Sequence, residues 1–122
     1  MNRPRYGQTE GTPPERREIR LFPDYGRDYP LWENTVFEET PEGPRVAWDA
    51  GYATHPRMYG LSTELTERLR AWQAFWEDHD MDFSRWDSTE NEQTWLAEGS
   101  RITRDLAAEV ADFADVIPEF RT

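Results

Sequence analysis

Two helical stripes with a short acidic segment between them constrain this chain more than any other feature. From Ser62 onward, Leu65, Leu69, Trp72 and Trp76 recur at intervals of four, three and four, with Phe75 alongside. That spacing places them on one face of an α-helix. Ser62 has the side chain of an N-cap, and Glu64 and Glu67 fall in the first turns, where the helix dipole favours carboxylates. The second stripe, Trp95, Ile102, Leu106, Val110 and Phe113, follows an opening at Ser88 or Thr89. Thr89 and Glu92 have the spacing of a capping box. Gly99 lies on this stripe. A glycine inside a helix costs about 1 kcal/mol relative to alanine, so its position predicts close approach of the first helix, under one of the tryptophans.

The remaining cover for the helices must come from short strands. "EIRLFP" alternates Ile19 and Leu21 with Glu18 and Arg20 before Pro23 ends it, and "PLWENTVF" reads as a second strand. Between them "PDYGRDYP" carries Pro, Asp and Gly at turn positions. Residues 40–60, with three Pro and three Gly, read as a long loop with a brief strand at Arg45 to Trp48. "DVIPEF" reads as a terminal strand that Pro118 would keep at a sheet edge. The expectation is an α+β fold: two antiparallel amphipathic helices packed on a small sheet of short strands. Residues 1–17, rich in Pro, Gly and Arg, offer too little apolar area to order themselves and read as a tail, with residues 18–122 as a single domain.

Composition sharpens this picture. Hydrophobic residues are 36% of the 122, whereas six Trp, six Phe and five Tyr make 14% of the chain aromatic. Because each ring buries roughly 150–250 Å², the aromatics must close a core that is short of aliphatic side chains. Without cysteine there is no disulfide and no thiolate chemistry. No apolar leader and no run of about 18 apolar residues occurs, so neither a membrane segment nor export is expected and the expected location is cytoplasmic.

The formal charge of −11 is unevenly spread: residues 1–20 hold five Arg against three Glu, and the rest hold nine Arg against 22 acids. So acidic a body repels phosphates, which argues against direct nucleic acid binding. His55 and His79 fall in different elements, no serine sits in a nucleophile elbow, and no Gly-rich phosphate loop is present. No cofactor is expected. "DHDMDFSRWDST" spaces Asp78, Asp80 and Asp82 as a calcium loop does, but Phe83 stands where the loop needs Gly and Thr89 where it needs Glu. A solvated acidic turn is the better reading.

"LFPDYGRDYPLWEN", "YGLSTELTERLRAWQAFWE" and "WLAEGSRITRDLAAEV" resemble a group of small uncharacterised bacterial proteins over about residues 19–120. The shared features are a Pro-Leu-Trp segment, a Gly-Leu-Ser helix start and a Glu-Gly-containing second helix. The resemblance implies the α+β fold and, by analogy with immunity and inhibitor proteins, a binding role. The residues favour the same class: Phe22 and Trp32 are expected to cover the helix pair, whereas Tyr25 and Tyr29, flanked by Asp24 and Asp28, are expected to face outward as interaction residues. Together with Glu77, Asp78, Asp80 and Asp82 they form the candidate surface for a basic protein partner of the immunity, inhibitor or adaptor type. Two alternatives stay open from sequence: a small enzyme using carboxylates, with or without a divalent metal, and a nucleic-acid mimic.

Overall fold

In the computed structural model, which describes residues 8–12, 14–48, 52–81 and 85–120, the two stripes become α1 (Thr63–His79) and α2 (Thr89–Glu109). Ser62 caps α1, its Oγ accepting from the Leu65 N–H at 3.1 Å. At α2 the cap is Ser88, whose Oγ accepts from the Asn91 N–H at 3.0 Å. The capping pair is therefore Ser88 and Asn91, one position earlier than the Thr89–Glu92 spacing suggests. Partners run in opposite directions along the two helices: Ser62 meets Glu109, Arg68 meets Glu98 and Asp105, and Trp72 meets Trp95. The helices are antiparallel, as expected.

Their contact centres on two indoles. Trp72 and Trp95 stack with ring centroids 4.2 Å apart and planes 3° from parallel. Each indole N–H donates to the other residue's backbone carbonyl, at 2.8 and 3.0 Å. Gly99 lies directly beneath: a Cβ there would sit 2.7 Å from Trp72 Cζ2 and 2.8 Å from the Phe120 ring. The close approach inferred from sequence is present, and the tryptophan is Trp72. Gly99→Ala should therefore lower the unfolding free energy by about 1–2 kcal/mol, because overpacking against a hydrogen-bonded ring outweighs the helix-propensity gain. Thermal unfolding followed by circular dichroism checks this, and a raised midpoint would show that Trp72 can move aside.

The strands are β1 (Gln8–Glu10), β2 (Arg17–Leu21), β3 (Leu31–Trp32), β4 (Thr35–Thr40), β5 (Gly43–Trp48), β6 (Tyr52–Ala53) and β7 (Ala114–Pro118). They form two sheets. One has the order β3-β2-β7, with β2 antiparallel to β3 and parallel to β7. It is the small sheet expected from the N- and C-terminal strands, and Pro118 does lie on its edge strand. The other has the order β1-β5-β4-β6; β4 begins within the expected second strand and β5 contains the brief strand expected at Arg45 to Trp48, whereas Thr40, Gly43, Pro44 and β6 fall where a loop was expected. Thr40 and Gly43 close a hairpin there, Gly43 adopting φ +119°, a value L side chains rarely reach. The β1 segment joins this sheet by parallel backbone pairing of Gln8 with Arg45 through Glu10 with Ala47.

"PLWENTVF" is not one strand. It splits at Glu33 into β3 and β4, which belong to different sheets. The break has a cause: Glu33 is 6% exposed and turns inward to a bidentate pair with Arg17, Nε to Oε2 at 2.9 Å and Nη2 to Oε1 at 2.7 Å. The Tyr59 hydroxyl donates to Oε1 at 3.0 Å. The Arg17 guanidinium lies 4.7 Å from the Trp48 ring centroid and 5.2 Å from those of Tyr59 and Phe113. Around this ion pair a single core joins Ile19, Leu21 and Leu31 of one sheet, Val46 and Trp48 of the other, and the inward faces of both helices. Among the described residues no helix is long and apolar enough to cross a membrane.

Candidate functional site

The turn between β2 and β3 is not a free loop. Its base is closed by the Phe22 N–H on the Pro30 carbonyl at 3.1 Å and by the Trp32 indole N–H on the Phe22 carbonyl at 2.9 Å. Phe22 and Trp32 stack on each other, 4.7 Å apart and 4° from parallel. Both are half-buried, so neither covers the helix pair as expected. The Arg27 guanidinium lies 4.6 Å over the Trp32 ring centroid and donates to the Leu31 carbonyl at 2.8 Å. The turn is thus fixed from its own side.

Its tip docks on the last two turns of α1. Gln73 Nε2 donates to the Asp24 carbonyl at 2.7 Å, the Gly26 N–H donates to Glu77 Oε2 at 3.2 Å, and the Tyr25 hydroxyl donates to Asp80 Oδ2 at 2.7 Å. The Tyr25 ring packs 4.6 Å from Trp76. Residues 73, 76, 77 and 80 share one face of a helix, which is why one short turn meets all four. The two segments singled out in the sequence, some fifty residues apart, are brought together here.

Within this face the candidate residues divide. Tyr25 is 46% exposed yet anchored at its hydroxyl. Asp80 is 6% exposed and holds Tyr25 instead of facing outward. Glu77, Asp78 and Asp28 are exposed and Asp24 is half-buried, whereas Tyr29 is half-buried with its ring edge-on to His55 at 5.1 Å. Asp82 lies outside the described residues.

The turn between the helices is braced by His79 Nδ1 and Asp87 Oδ2 at 2.7 Å and by Asn91 Nδ2 donating to Asp87 Oδ1 at 3.0 Å. The Asn91 bond, and after it His79, hold the Asp87 carboxyl below its ordinary range. Of the seven acids between Glu77 and Glu92, Glu77, Asp80 and Asp87 are therefore engaged in internal bonds, and Asp78, Glu90 and Glu92 carry no such bond among the described residues. Among the described residues no group of three or more His, Asp or Glu gathers as a metal site would.

Beside the docked turn, where both helices meet the end of β7, lies an open cleft of about 390 Å³. Phe22, Trp86 and Phe120 line it, with Asp24, Glu92 and Glu119 among its carboxylates. Sequence reading missed this cleft, because Phe22, Trp86 and Phe120 come from three separate elements. Glu119 and Phe120 were expected in the terminal strand "DVIPEF", but β7 ends at Pro118 and both line the cleft.

Fold and face together define a small α+β domain that presents an ordered, carboxylate-bearing turn on a helix pair. The chain belongs to the Serratia CdiI immunity protein-like family, whose family model matches residues 17–117. The matched span runs from the first residue of β2 to the last but one of β7, taking in the docked turn and both helices. No curated protein matches the chain.

Proposed function

We propose that this protein is an immunity-type interaction module that binds a basic surface of a protein toxin. The contact face comprises Asp24, Tyr25 and Asp28 of the docked turn with Glu77 and Asp78 of α1, and Tyr29 follows Asp28 in the same turn. The observation that carries this reading is the docking of the turn onto residues 73–80, in a chain whose family is described as immunity protein-like. A face held by three hydrogen bonds and a ring contact loses little conformational freedom on binding, which favours a tight complex. Asp80 supports the face by holding Tyr25.

Charge on such a face chiefly steers association, and a buried aromatic sets the off-rate. The test is affinity capture from the native cell followed by surface plasmon resonance on the recovered partner. Glu77→Arg with Asp78→Arg should slow association about tenfold and flatten its salt dependence, whereas Tyr25→Ala should speed dissociation. A partner that binds with equal rates at about 50 and about 500 mM salt, and equally to both variants, overturns the proposal.

A further inference from the structure

We propose that the cleft beside the docked turn receives an arginine side chain of the partner, a proposal that rests on the interaction reading above and gives it a specific anchor point. The floor is aromatic and fixed. Trp86 packs 5.3 Å from Trp95 and 6.3 Å from Phe75, and its backbone pairs with Asp80 across the interhelix turn. Phe120 packs edge-on to both Trp72 and Trp95, at 5.0 and 5.4 Å. Trp86, Phe120 and Phe22 remain half-buried, leaving ring surface in contact with the cleft. Tryptophan is the best aromatic partner for a cation, and guanidinium stacks on rings while pairing with carboxylates.

The rim supplies the complementary charge. Asp24, Glu119 and Glu92, the last in the first turn of α2, are its lining carboxylates. Among the described residues no arginine or histidine lines the cleft. Arg20 already pairs with Glu119, and Asp24 Oδ1 accepts from the Tyr25 N–H at 2.8 Å. Glu92 has no ion pair among the described residues, so it is the carboxylate best placed to meet an incoming cation. A planar cation with an apolar stem satisfies both floor and rim, whereas an acidic side chain would be repelled and a purely apolar one would leave Glu92 uncompensated.

The probe is the blocked tripeptide acetyl-Gly-Arg-Gly-amide, titrated into the ¹⁵N-labelled protein while the Trp86 indole N–H and the Glu92 amide are followed by NMR. Trp86→Phe assigns the indole signal. A saturable shift with a dissociation constant of about 1 mM is expected, weakened about tenfold when citrulline replaces arginine and in Glu92→Gln. Equal shifts with the citrulline peptide, equal or tighter binding of the same peptide with lysine in place of arginine, an unchanged affinity in Glu92→Gln, or no saturable shift each overturns the assignment. The peptide reads the cleft whether or not a toxin is found. A captured partner that depends on Glu77 and Asp78 but binds Glu92→Gln normally would end the cleft proposal and leave the interaction reading standing.

Discussion

Replacing Glu33 by Ala lowers the unfolding free energy by about 3–5 kcal/mol, a large part of the ~5–15 kcal/mol typical of a domain. The magnitude follows from what the variant leaves behind. Arg17 and Glu33 are each 6% exposed, and their bidentate bond is the main compensation for removing two charges from water. Without the carboxylate, the guanidinium loses both charge-assisted hydrogen bonds, and the ring faces of Trp48, Tyr59 and Phe113 cannot replace them. Tyr59 also loses its acceptor. Burial, and then the neighbouring Glu33 charge, push the Tyr59 pKa well above its ordinary value, so the phenol stays neutral and must donate its proton somewhere.

Tyr59→Phe should be much milder, about 1 kcal/mol. The informative control is Arg17→Met combined with Glu33→Leu, which removes both charges and should recover most of the loss. Urea unfolding of the three variants and the parent protein, followed by far-ultraviolet circular dichroism, provides the comparison. A Glu33→Ala loss below about 1 kcal/mol would mean that water reaches the pair and that the ion pair does not organise the core.

Trp95→Ala is expected to cost a similar ~3–5 kcal/mol, by a different route. The indole fills the space between the helices, stacks on Trp72 and donates to the Trp72 carbonyl, so truncation removes apolar burial, a ring contact and a hydrogen bond together. Trp95→Phe should fall in between, because it keeps a ring and loses the indole N–H. The reciprocal geometry makes a further expectation sharper. In a double-mutant cycle, Trp72→Phe and Trp95→Phe should couple by about 0.5–1.5 kcal/mol, since each N–H bonds the other's backbone and both rings share one stack. Effects that simply add would show two independent indoles.

The helices were legible because their signal is local. Leu65 to Trp76 and Trp95 to Phe113 repeat with the helical period, and Ser62 and Ser88 cap through groups only three residues away. Gly99 was legible for a related reason: its helix-propensity cost needed a compensating contact, and only a close neighbour could supply one. The β4–β5 hairpin was not. Pro41, Gly43 and Pro44 carry turn signals at high density, and the alternation of Phe37, Val46 and Trp48 emerges only once Phe37 is paired with Val46 across the turn. Phe22 and Trp32 were expected over the helix pair because a small sheet with few aliphatics needs rings to close its core, yet they stack on each other and Phe22 lines the cleft.

For the proposed contact face, sequence by itself determined the ingredients: an aromatic turn with Asp24, Asp28, Tyr25 and Tyr29, and a carboxylate-rich helix end from Glu77 onward. It also determined the helix pair and the acidity, since periodicity and composition need no knowledge of contacts. Tertiary structure alone decided that the turn lies on residues 73–80, that Asp80 holds Tyr25, and that Arg17 reaches across to Glu33. These are pairings between residues sixteen to fifty-five positions apart. Such pairings are fixed by which surfaces desolvate together when the chain collapses, and the free energy of burying a charge or a hydroxyl depends on the partner it meets there.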